Sequence, residues 1–106
     1  MESEQIQNEH EQFLRVALPD VYSFLMEEVE KHYNIHPYDI QAHVIKDTEQ
    51  YQLIFYYGEG FAHQKSKSFS HDAVEKMDEE ITDFSKELGE ACKEVMIADY
   101  FKMMKM

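Results

Sequence analysis

Two apolar alternations, separated by a short polar turn, constrain this chain more than any other feature. Ile40, Ala42 and Val44 alternate with Gln41, His43 and Ile45, and Asp47-Thr48-Glu49-Gln50 follows. The run Tyr51 to Tyr57 then places Leu53, Phe55 and Tyr57 on one face. Successive strand residues point to opposite faces, so a hairpin forms only in a register that brings the two apolar sets together. The four-residue turn does this: Val44 falls opposite Leu53, Ala42 opposite Phe55 and Ile40 opposite Tyr57. Alternation and turn length agree, and they predict an antiparallel hairpin.

The rest of the sheet is less sharply specified. Gly58-Glu59-Gly60 reads as a second turn, since glycine accepts positive φ without a steric penalty. A third strand, Phe61 to Phe69, is expected after it, with Lys65 and Lys67 protecting a sheet edge by charge. Its register stays open, because a two-residue loop turns Ala62 toward the core and a three-residue loop turns His63 there.

On either side of this region the apolar period changes from two to helical. Ile6, His10, Phe13, Leu14 and Ala17 recur at helical spacing, as do Val21, Phe24, Leu25, Glu28 and Val29. Pro19 lacks an N–H and suits the first turn of a helix, so helices over 3–17 and 19–33 are expected. Tyr33-Asn34-Ile35-His36-Pro37 ends the second. After Ser70, a suitable N-cap, Val74, Met77, Ile81, Phe84, Leu88, Ala91, Val95 and Ala98 follow steps of three and four residues. One long helix over 71–101 is the simplest reading, weakened by about 1 kcal/mol at Gly89. The expected fold is α+β: N-terminal helices, a three-stranded antiparallel sheet over about 39–69, and the long C-terminal helix on one sheet face. A length of 106 residues suits one domain over 1–106.

Composition narrows the function classes. With 22 Asp+Glu against 10 Lys+Arg the formal charge is −12, which opposes direct binding to nucleic-acid phosphates. The 43% apolar content separates the chain from disordered acidic tails. A single Cys, Cys92, excludes an internal disulfide framework and a Cys-based zinc site, and it fits a reducing interior. The opening Met1-Glu2-Ser3-Glu4-Gln5 is unlike a secretory leader, and no run reaches the ~18 apolar residues of a membrane span. A soluble cytoplasmic protein without a membrane partner is expected.

No motif carries an obvious chemistry. His32 and His36 are four apart, but a helix end separates them and no metalloprotease glutamate accompanies His32. His43 and His63 lie on two strands of the same expected sheet. In one register they share the outer sheet face with Tyr56, and with Glu28 they form the single arrangement that suggests a small ligand or metal. Ordinary surface or core histidines are the competing reading, and it is preferred. Acidic pairs such as Asp78-Glu79 and Glu27-Glu28 sit on polar helix faces, where sequence neighbours diverge. There is no Gly-x-Ser-x-Gly elbow, and Cys92 falls beside the apolar stripe. Gly58-Glu59-Gly60 lacks the third glycine or the Lys-Ser/Thr of a nucleotide loop. No catalytic residue and no cofactor is assigned.

Two surfaces remain. From Asp72 to Glu94 there are nine acids and three lysines, a solvated face or one offered to a basic partner in imitation of nucleic acid. The second is apolar. Ile45, Ile54 and Tyr56 fall on the outer sheet face, and Ile97, Tyr100, Phe101, Met103 and Met104 surround the last helix on more than one side. Methionines suit adaptable contacts. These eight residues are the candidate interface of a non-enzymatic protein–protein interaction or regulatory module that forms homodimers. The acidic inhibitor and a ligand or metal protein using His43, His63 and Tyr56 are the alternatives.

Overall fold

The computed structural model describes residues 11–104, with side chains as far as Phe101. The chain forms an antiparallel meander, β1 (Glu11–Phe13), β2 (Ile40–Lys46), β3 (Gln50–Tyr57) and β4 (His63–Ser70), in the order β1-β2-β3-β4. Between β1 and β2 lie α1 (Leu14–Ala17) and α2 (Pro19–Tyr33), and after β4 come α3 (His71–Glu75) and α4 (Glu79–Met104). The architecture is α+β, with a sheet of four strands rather than the three expected from sequence.

The β2–β3 hairpin has the anticipated register: Ile40 pairs with Tyr57, Ala42 with Phe55 and Val44 with Leu53. All six are buried, and with Phe69 of β4 they form the sheet's half of the core. The helical half is Leu14 from α1, Val21, Leu25, Met26 and Val29 from α2, and Ile81, Phe84, Leu88 and Cys92 from α4. Phe84 is central, its ring 5.5 Å from Phe55 and 5.6 Å from Phe69. Pro19 opens α2 at its first turn, and Asn34, at φ 58°, ends it in the left-handed conformation that asparagine tolerates. Ile35, fully buried, then seals the helix end.

Three local expectations change. Residues 11–13 form a strand rather than the end of a helix over 3–17, whose residues 3–10 lie outside those described. Glu11, Gln12 and Phe13 pair with Ile45, Val44 and His43, so the edge of β2 supplies hydrogen-bonding partners that outweigh a weak local helix preference. The C-terminal helix is two helices. Asp78 N–H donates to Ala73 O at 2.9 Å and Met77 N–H to Val74 O at 3.2 Å, while Met77 takes φ 52°. This pair of bonds is a Schellman stop, and the Asp78 carboxylate then caps Glu79 N–H as α4 begins. The joint keeps the apolar stripe in phase, which is why spacing alone conceals it. Finally, five residues separate Tyr57 from its partner His63. They include a 3-10 turn, Glu59–Phe61, with positive φ at Gly58, Gly60 and Phe61. This odd count turns His63 to the helix-covered side of the sheet, away from His43.

Gly89 has a packing role. The ring of Tyr33 occupies the space a side chain there would need: a Cβ on Gly89 would fall inside its van der Waals envelope. Gly89→Ala is therefore expected to lower the denaturant midpoint. The strain of overpacking, about 1–3 kcal/mol, exceeds the ~1 kcal/mol gain in helix propensity. A raised midpoint would show that α2 and α4 do not approach this closely.

Candidate functional site

The outer face of the sheet contains a buried polar cluster that β1 completes. Glu11 sits opposite Ile45, and its carboxylate reaches diagonally to His43, with Oε2 2.5 Å from Nδ1. Tyr56 O–H donates to the same oxygen at 3.1 Å. Two donors on one carboxylate oxygen require the His43 tautomer with a proton on Nδ1. Phe13 and Tyr56 present their rings edge-on to the imidazole, at 5.2 and 5.1 Å. Burial, then the Glu11 charge, then the hydrogen bond to Glu11 raise the Tyr56 pKa above 10.0.

Glu11 is buried and His43 is 0% exposed. His43 Nε2 and Gln41 Oε1 are buried without a hydrogen-bond partner among the described residues. A ring closed on all sides meets no substrate, so this cluster reads as a clamp holding β1 to the sheet. Ile54, expected on an open face, is buried beneath it, and Ile45 and Tyr56 are half-buried.

The other residues singled out from sequence are dispersed. His63 stacks on Tyr57 across the sheet from His43, with ring centroids 5.8 Å apart. Glu28 lies on the α2 surface, 3.8 Å from Lys31 Nζ and 3.5 Å from His32 Nε2. Glu28, His43 and His63 do not share a site. Among the described residues no group of three His, Cys, Asp or Glu side chains is placed to hold a metal ion. The nine acids from Asp72 to Glu94 are all exposed, and Asp72 and Glu87 pair with Lys76 and Lys65.

The C-terminal end of α4 is different. Ile97, Tyr100 and Phe101 are 46%, 60% and 59% exposed, and Tyr38, in the 3-10 turn Pro37–Asp39 before β2, is 87% exposed. The side chains of Met103 and Met104, expected in the same surface, lie outside those described. Beside this apolar end is a cavity of about 450 Å³ between the Pro37–Asp39 turn, the loop after β3 and α4. Tyr38, Tyr57, Phe61 and Tyr100 provide its aromatic walls, and Asp39, Glu59 and Asp99 its carboxylates. Cys92 and Met96 also line it, and burial, reinforced by the Asp39 charge, pushes the Cys92 thiol up to about 12.

Sequence reasoning missed Glu11, because glutamate in a Glu/Gln-rich segment carries no strand signal. It missed the cavity because Tyr38, Phe61 and Asp99 come from three separate connections and helix turns. No helix among the described residues is long and apolar enough to cross a membrane. Comparison with protein-family models, with curated proteins and with solved structures finds no match to the chain.

Proposed function

We propose that this protein is a non-enzymatic interaction module that pairs with a second copy of itself through the C-terminal turns of α4. The supporting observation is the cluster of large apolar side chains left in water there: Ile97, Tyr100 and Phe101, with Tyr38 alongside. Ile97 and Phe101 are one helical turn apart, and Tyr100 packs edge-on against Phe101 at 5.8 Å. Removing such a patch from water favours association, and a symmetric dimer is the commonest way to cover one.

Charge is compatible with the same location. Two copies carrying −12 each repel, so association is favoured on segments of low acid excess, of which the end of α4 is one and β4 another. Residues 95–106 contain one acid, Asp99, and two lysines, Lys102 and Lys105. The rest of α4 is strongly acidic on its exposed face.

Light scattering after size exclusion is expected to give twice the 12.7 kDa chain mass for the wild type. Phe101→Asp, which buries a charge if the patch is covered, is expected to give a monomer at about 50 µM, where a micromolar dimer would still be populated. Monomers for both proteins would overturn the self-pairing.

A further inference from the structure

We propose that the cavity between Tyr38, Tyr57, Phe61 and Tyr100 binds an organic cation, an ammonium or guanidinium group carried on an apolar stem. The chemistry of the lining supports this choice. Four aromatic rings line the space, a chemistry that attracts cations, and Asp39, Glu59 and Asp99 bring carboxylates to it. Among the described residues no Lys, Arg or His lines the cavity, and none of the three carboxylates is paired with a basic side chain. Asp39 uses one oxygen, Oδ2, to accept from His36 N–H at 3.1 Å, which fixes its position and leaves Oδ1 uncommitted. An anion would enter against three negative charges, and a neutral apolar ligand would leave them without a partner.

The Tyr57 hydroxyl is raised by burial and then by Cys92 and Glu94, and the Cys92 thiol by burial and then by Asp39. A volume of about 450 Å³ is within the range that holds a small ligand. The floor is rigid: Tyr57 is the last residue of β3, and Cys92 is buried in α4. Tyr38 and Tyr100, both largely exposed, form the adjustable rim.

Such a cation comes from two sources, a free amine or a protein side chain, and one experiment separates them. Phenethylammonium, 2-phenylethanol and phenylacetate share a shape and differ in charge. Titrated into the full ¹⁵N-labelled chain at constant ionic strength, they are followed through the amides of Gly58, Gly60 and Phe61. The ammonium is expected to bind roughly tenfold more tightly than the alcohol, and the carboxylate not to bind. Asp39→Asn combined with Asp99→Asn is expected to bring the ammonium down to the affinity of the alcohol while the alcohol's own affinity holds, which shows that the variant is folded. A peptide with one lysine among alanines, binding more tightly than the free amine, would identify a protein side chain as the source; the reverse would identify a small amine.

Equal affinity for ammonium and alcohol, or amides of the loop unmoved by the ammonium, would overturn the proposal. Phe101 does not line the cavity, so repeating the titration on an uncharged Phe101→Ser protein that is monomeric tests the cavity independently of self-pairing.

Discussion

Phe84→Ala is expected to destabilise the protein by about 3–5 kcal/mol, the range for truncating a buried phenylalanine. Phe84 is fully buried where α4 crosses the sheet, and its ring touches Phe55 from β3 and Phe69 from β4. Truncation removes both aromatic contacts and leaves a cavity between two layers that cannot close without moving a helix. Total stability for a chain of this size is roughly 5–15 kcal/mol, so the loss is a large part of it. Val16→Ala provides the contrast: Val16 projects from α1 into solvent, and its truncation is expected to change stability by less than ~0.5 kcal/mol. Urea unfolding followed by far-UV circular dichroism reads both. Equal midpoints for the two variants would mean that α4 does not pack on the sheet through Phe84.

Features encoded by spacing were legible in the sequence. The hairpin register follows from two alternations and one turn length, and each alone would leave a choice of faces. The α4 stripe follows from steps of three and four residues that include the buried Ile81, Phe84 and Leu88, although the next buried position is Cys92 rather than the half-buried Ala91. What spacing cannot carry was not legible. The Schellman stop at Met77 leaves the stripe in phase, so periodicity runs across it unbroken. Its trace is chemical: Asp78 followed by Glu79 and Glu80 is a cap with a negative first turn, a start signal lying within an apparent helix. The parity of β4 depended on a loop containing a 3-10 turn and a left-handed Phe61, which no residue preference announces. As a result His63 on β4 and His43 on β2, already separated by β3, lie on opposite faces. The outer face was expected to be spare apolar surface for a partner, yet Ile54 is buried there. Of the candidate interface residues with described side chains, Ile97, Tyr100 and Phe101 are the exposed ones.

Glu11 was the least legible of the important residues, and it supports the second large prediction. It is 32 positions from His43, and nothing local to either residue suggests that they meet. Glu11→Met is expected to destabilise the protein by about 1–3 kcal/mol, the cost of leaving a buried donor without its acceptor. The loss has two parts. His43 keeps a buried Nδ1–H without an acceptor, and β1, only three residues long, loses the side chain that ties it to β2 and β3. Tyr56 is half-buried and finds water, so its lost bond contributes little. Replacing both partners, Glu11→Met with His43→Leu, removes the orphaned donor together with its acceptor. Apolar residues of similar size can then fill the space between Phe13 and Tyr56. The double variant is expected to recover more than half of the stability lost by Glu11→Met alone, because the penalty of an unmatched buried group exceeds the net contribution of the matched pair. Denaturant midpoints for the two single variants and the double variant complete the thermodynamic cycle. Costs that simply add would show that Glu11 and His43 act independently and that β1 is held by its backbone pairing.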